Sequence, residues 1–148
     1  MTIDSFYAVP KVIVKDMFDS FCGTPLGYGI GRQVYEHRHD PSLVIKIEYA
    51  SNSFQNVLEY EAWQYVKETI HAKHFAPCVY ISPCGTVLIQ KKTDKAKKYP
   101  DRLPVFLTDT KRANYGVYKG HFCCHDYGFT NLMTTGLTKR TRKIDWLD

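Results

Sequence analysis

Three glycines at alternate positions, Gly27, Gly29 and Gly31, precede a lysine set among branched apolar residues in Leu43-Val44-Ile45-Lys46-Ile47-Glu48. A glycine-rich turn lets backbone amides approach an anion such as phosphate. A lysine inside an apolar strand is costly unless negative charge matches it. Farther along, Asp109-Thr110-Lys111-Arg112-Ala113-Asn114 and Asp126-Tyr127-Gly128 bring carboxylate and amide oxygens and a second lysine. Taken singly, these last residues also suit turn caps. Taken together, the groups suit phosphate chemistry better than metal-thiolate or histidine chemistry. Cys22, Cys78, Cys84, Cys123 and Cys124 contain no C-x-x-C pair, and the six histidines show no metal-ligand spacing. His125 stands beside Asp126, where it can brace a site.

The glycine segment has two readings. A dinucleotide-binding G-x-G-x-x-G needs a crossover helix and an acidic residue ending the next strand, a role Glu48 is placed for. Only Arg32 to Ser42 separates Gly31 from that strand, and the interval contains Asp40-Pro41, so no crossover helix fits. The remaining reading is a β-hairpin whose glycine turn lies over phosphates.

The elements that must position these groups follow from local patterns. Residues 6–18 read as a strand or a short helix, His37 to Ser42 as a turn, and Leu43 to Glu48 as a strand. Asn52 with Gln55 resembles a capping box, and Phe54, Leu58, Ala62, Tyr65 and Val66 recur at helical spacing, which predicts a helix over 53–70. Cys78-Val79-Tyr80-Ile81 and Thr86 to Gln90 flank Ser82-Pro83-Cys84-Gly85 as a hairpin. Lys91 to Lys98 is a loop or the start of a short helix. Strands are expected around Tyr115–Tyr118 and His121–His125, joined at Lys119-Gly120. The order predicts an α+β domain with a mostly antiparallel sheet.

At 148 residues, 44% hydrophobic and 24% charged, the chain suits one compact domain, 1–148, and not a disordered one. No apolar run approaches the ~20 residues of a membrane helix, and Met1 to Ser5 lacks a basic start to a secretory signal. A cytoplasmic protein with reduced thiols is expected. Residues 1–90 hold 7 Lys and Arg against 9 Asp and Glu, whereas 91–148 hold 13 against 6. A basic half of this kind attracts phosphates. Lys139-Arg140-x-Arg142-Lys143 reads first as a solvated tail, with nucleic acid or a partner as the alternative.

Four motifs in order resemble the protein-kinase-like superfamily over about Leu26 to Gly128. Gly27-x-Gly29 with Val34 is similar to the kinase glycine loop, with the third glycine displaced to Gly31. Val44-Ile45-Lys46 looks like the V-A-I-K strand, Asp109-x-Lys111-x-x-Asn114 like the catalytic loop, and Asp126-Tyr127-Gly128 like D-F-G. The resemblance implies a kinase-like N-lobe over 1–90, with an antiparallel sheet and one αC-like helix. It further implies a hinge, catalytic-loop and D-Y-G segment over 91–130, a basic tail over 131–148, and a strongly reduced C-lobe.

The resemblance also implies roles. ATP would be held by the amides of Gly27, Gly29 and Gly31, by Val34, by Lys46, and near the hinge by Gln90. Glu59, or failing that Glu61, would match the charge of Lys46. Asn114 and Asp126 would hold Mg²⁺, Asp109 would position the attacking hydroxyl, and Lys111 would neutralise charge on the transferred group. Leu107-Thr108 replaces the family's His-Arg, no A-P-E segment is visible, and only twenty residues follow Gly128. Such compaction fits a virus- or phage-encoded protein working in the host cytoplasm. The function implied is transfer of the γ-phosphoryl group to a protein or small-molecule hydroxyl. The alternatives are a catalytically inactive pseudokinase-like module acting through protein contacts, homodimerisation included, and nucleic-acid binding through the basic half.

Overall fold

The computed structural model describes Asp16, 19–29, 31–49, 54–130 and 132–148. The strand or short helix expected over 6–18 lies outside the described residues except at Asp16, and Asn52 lies outside them too. The fold is α+β, with one five-stranded antiparallel sheet and few helices. The chain divides into two compact units, 1–57 with 78–91 and 58–77 with 92–148. Segment 58–77, expected to belong with 1–90, therefore packs with the later half.

The first unit is the sheet. Strands β1 (Cys22–Gly29), β2 (Arg32–His37), β3 (Leu43–Glu48), β4 (Cys78–Ile81) and β5 (Val87–Lys91) lie in the order β1-β2-β3-β5-β4. Their turns are written locally. Gly31 takes φ 83° between β1 and β2. Asp40 Oδ1 accepts hydrogen bonds from the Ser42 amide (2.9 Å) and hydroxyl (2.6 Å), closing the expected turn before β3. Gly85 takes φ 74° between β4 and β5, and its amide donates to the Ser82 carbonyl at 2.8 Å. One face of the sheet packs Cys22, Tyr35, Ile45, Ile47 and Val87 into an apolar core with Ile89 against it. Burial pushes the Cys22 thiol up to about 11.

Helix α1 (Gln55–Val66) is shorter than the expected 53–70 and differently turned. Its start is capped by Glu48, whose two carboxylate oxygens accept the Gln55 amide (2.8 Å) and the Asn56 amide (2.9 Å). Its end closes at Thr69, whose amide and hydroxyl both donate to the Val66 carbonyl. The expected apolar stripe is buried only in part: Ala62 and Val66 are buried together with the polar Asn56 and Glu59, while Phe54, Leu58 and Tyr65 are 62, 42 and 47% exposed. Polar partners inside the protein, more than apolar spacing, set this rotation.

The second unit is built on aromatic contacts and two short ribbons. Strands β7 (Tyr115–Tyr118) and β8 (His121–Cys124) form the expected hairpin, with Lys119 and Gly120 both at positive φ (48° and 80°) in a two-residue turn. Strands β6 (Arg102–Pro104) and β9 (Thr141–Lys143) pair antiparallel. Phe75 stacks on Phe106 (5.8 Å) and meets Tyr127 edge-on (5.0 Å). Trp146 meets Tyr99 and Tyr115 at 5.1 and 5.0 Å, and its indole N–H donates to the Pro100 carbonyl at 2.8 Å. In the basic tail over 131–148, Lys139, Arg140 and Lys143 are exposed as a solvated stretch would be, but the chain around them is folded. Helix α2 (Leu132–Thr135) buries Leu132, Ile144 is buried, and Arg142 donates to the Leu107 carbonyl at 2.9 Å. Of the two readings of Lys91 to Lys98 the loop holds, and it is pinned at its middle, where Asp94 and Val117 exchange two backbone hydrogen bonds at 2.9 Å. Among the described residues no helix is long and apolar enough to cross a membrane.

Candidate functional site

In the first unit, β-sheet register brings several expected residues onto one face. Gly27 lies opposite Val34, Val34 opposite Lys46, and Lys46 opposite Leu88. Residues directly opposite in a ladder share a face, so Gly27, Val34 and Lys46 form a single row across β1, β2 and β3. The row beside it holds Gly29, Arg32 and Glu48, and the row on the other side places Val44 opposite Gln90. This is the sheet face away from the Ile45 and Ile47 core. Lys46 is 2% exposed and Gln90 is fully buried, its amide 3.9 Å from Cys78 Sγ. Gln90 stands two residues before the chain passes into the second unit at Lys92, close to where the hinge is expected.

Gly27 and Gly29 have no neighbour within 4 Å of where a Cβ would stand, and neither has a positive φ. Packing within the described residues and backbone geometry therefore leave both glycines unexplained. Gly31 is different, being required by its φ of 83°.

A buried polar group holds the sheet to the start of α1. Asn56 is fully buried, and its side-chain amide donates to the carbonyls of Lys46 (3.1 Å) and Thr86 (2.9 Å). Its oxygen accepts from the Arg32 guanidinium at 3.2 Å. Arg32 stands in place of the expected third glycine, and this bond, with the residue almost wholly buried, gives it a structural place. No local pattern signals Asn56, because its partners are 10, 24 and 30 residues away. Glu48, placed above as the acidic residue of the rejected dinucleotide-binding reading, is the helix cap.

The other expected residues lie in the second unit. Glu59 is 0% exposed, whereas Glu61 is exposed. Glu59 Oε2 accepts the backbone amides of Tyr127 (3.1 Å) and Gly128 (3.2 Å), fixing the two residues that follow Asp126. The Tyr127 hydroxyl donates to the Ala76 carbonyl at 2.6 Å, completing the anchorage of this segment. The hairpin β7–β8 starts just after Asn114 and ends just before His125, so the two ligand candidates leave the same end of one ribbon. The His125 amide donates to the Asn114 carbonyl at 2.9 Å, extending the pairing by one step. Asn114 is buried and Asp126 half-buried.

Asp109 and Lys111 are exposed. Asp109 Oδ1 accepts the Lys111 amide at 3.2 Å, an Asx-turn, and its carbonyl accepts the Tyr115 hydroxyl at 2.7 Å. Burial, then the nearby Cys124 and Asp109, raises the Tyr115 hydroxyl well above its ordinary range and keeps it a donor. The tail lies along this turn, with the Arg112 amide donating to the Leu147 carbonyl (2.8 Å) and the Leu147 amide to the Thr110 carbonyl (3.1 Å). An Arg112–Asp148 ion pair closes it.

Among the described residues no three His, Cys, Asp or Glu side chains cluster as a metal site. The pair Asn114 and Asp126 offers one amide and one carboxylate oxygen, a hard donor set that fits Mg²⁺ with its waters and not zinc. No known protein family's sequence profile matches the chain, and no curated protein matches it either.

Proposed function

We propose that the chain is a compact kinase-like protein that binds ATP with Mg²⁺ and transfers the γ-phosphoryl group to a hydroxyl. The observation that carries this reading is the row Gly27–Val34–Lys46: a buried lysine on the same sheet face as glycines whose Cβ positions stand open. Glycines there let a ligand come close to backbone, and an ammonium beside them suits the α- and β-phosphates. Val34 supplies an apolar surface, and Gln90 precedes the hinge. Asn114 and Asp126 would hold Mg²⁺, which when bound offsets the charge on the phosphate oxygens. Asp109, exposed at its turn, is suited to orient the acceptor hydroxyl and take its proton. Lys111, two residues on, is suited to offset charge on the transferred group. Glu59 serves this arrangement by holding the amides after Asp126.

ATP with Mg²⁺ should raise the melting temperature by mass action on the folded state. Asp126→Ala should remove the magnesium-dependent part of that rise, and Lys46→Ala should weaken nucleotide binding with or without metal. Labelled-ATP transfer to the chain itself or to an added protein then reads catalysis. Transfer that persists undiminished in both Asp109→Ala and Lys46→Ala sinks the assignment of roles.

A second reading, a pseudokinase-like module working through protein contacts, is favoured by the exposed Leu58 and Tyr65 of α1 and the exposed Phe54 just before it. Nucleotide binding without any transfer is its signature.

A further inference from the structure

Both ring nitrogens of His125 are engaged. Nε2 lies 2.8 Å from the Ala113 carbonyl oxygen, which can only accept, so Nε2 carries a proton and donates. In the neutral ring Nδ1 is then an acceptor, and the Thr93 hydroxyl at 2.7 Å donates to it. Thr93 is itself fixed: Asp94 is paired with Val117, and a Cβ on Gly116 would stand 2.7 Å from both Thr93 Cβ and the Asp94 carbonyl oxygen. One imidazole thus joins the segment after β5, the residue before Asn114 and the residue before Asp126.

The regular ladder of the β7–β8 hairpin stops at Tyr115 opposite Cys124. Beyond it, Asn114 ends a single 3₁₀ turn without a side-chain cap, and Asp126 lies in irregular chain. We infer that His125 is a positioning residue that fixes the spacing of the Asn114 amide and the Asp126 carboxylate. The inference rests on the nucleotide and metal reading above. The ring acts through the backbone of its neighbours, as outer partners of metal ligands do.

The test uses the full chain as wild type, His125→Ala, His125→Gln and Thr93→Val. Mg²⁺ is titrated at fixed ATP with melting temperature as readout, and amide hydrogen exchange is measured without nucleotide. His125→Ala should need about tenfold more Mg²⁺ for the half-maximal shift, and should lose exchange protection at residue 125. His125→Gln, whose side-chain amide can still donate to the Ala113 carbonyl, should recover most of both. Thr93→Val should move both in the same direction by less. A wild-type magnesium requirement in His125→Ala overturns the positioning role alone. A wild-type chain with no magnesium-dependent ATP response overturns the nucleotide reading, and this role with it. Should His125→Ala not fold, Thr93→Val carries the test, and an unaltered magnesium requirement in it overturns the assignment.

Discussion

Glu59 is a fully buried carboxylate whose Oε2 receives two backbone amides from a segment 68 and 69 residues away. Glu59→Ala leaves both amides without this acceptor and should lower stability by roughly 2–3 kcal/mol, read by urea unfolding. Glu61→Ala, at an exposed position, should stay within about 0.5 kcal/mol of wild type. Glu59 was singled out over Glu61 as the match for Lys46 on the apolar residues that follow it, and of the two it is the buried one. The amides it holds were not foreseeable, since no local pattern reports a partner so distant. His74 carries a second residue-level consequence. Burial, then Lys73, His71 and His121, lower its pKa from the ordinary 6.5 to about 4. The unfolded chain then binds the proton first, so the stability is present above pH 6.5 and lost as pH falls toward 4. Urea midpoints of the wild type should drop through that window, and His74→Gln should drop less.

At the scale of elements, glycine substitutions separate folding from ligand binding. Gly27→Ala and Gly29→Ala meet no neighbour, so stability should hold or rise by about 0.5 kcal/mol. ATP affinity should nevertheless fall in both under the proposed function, as measured by calorimetry. Gly85→Ala is the control: at φ 74°, with Val57 Cγ2 2.6 Å from the new Cβ, it should destabilise by on the order of 1–3 kcal/mol. The strands and turns around these glycines were legible because branched residues and turn formers act locally. Helix α1 was legible as an element but only partly in its rotation, since of the expected stripe Ala62 and Val66 are buried and Phe54, Leu58 and Tyr65 are left exposed. The β6–β9 ribbon was invisible. Its strands are three residues long and separated by more than thirty positions, with no alternation to betray them.

For the whole molecule, the tail is the largest departure from expectation. Its charge pattern suggested a solvated segment, yet Ile144 is buried and Trp146 sits among Tyr99, Tyr115 and Phe122. Composition reports the exposed Lys139, Arg140 and Lys143 faithfully but hides the single tryptophan that anchors the stretch. Trp146→Ala should cost on the order of 2 kcal/mol and lower the melting temperature by several degrees. The α+β class and antiparallel sheet were readable from pattern; the division into two interleaved units was not, because it depends on contacts between distant segments. That interleaving has a practical corollary. A cut at Ile70 yields two pieces, each holding part of both units: β3 would remain on one piece and its ladder partner β5 on the other, and Glu59 would be parted from Tyr127. Neither half contains the complete sheet, and the aromatic cluster on the second piece loses the Glu59 carboxylate that holds Tyr127, so co-expressed halves should fold only by complementing one another, which makes this exposed turn a natural split point for a two-fragment reporter.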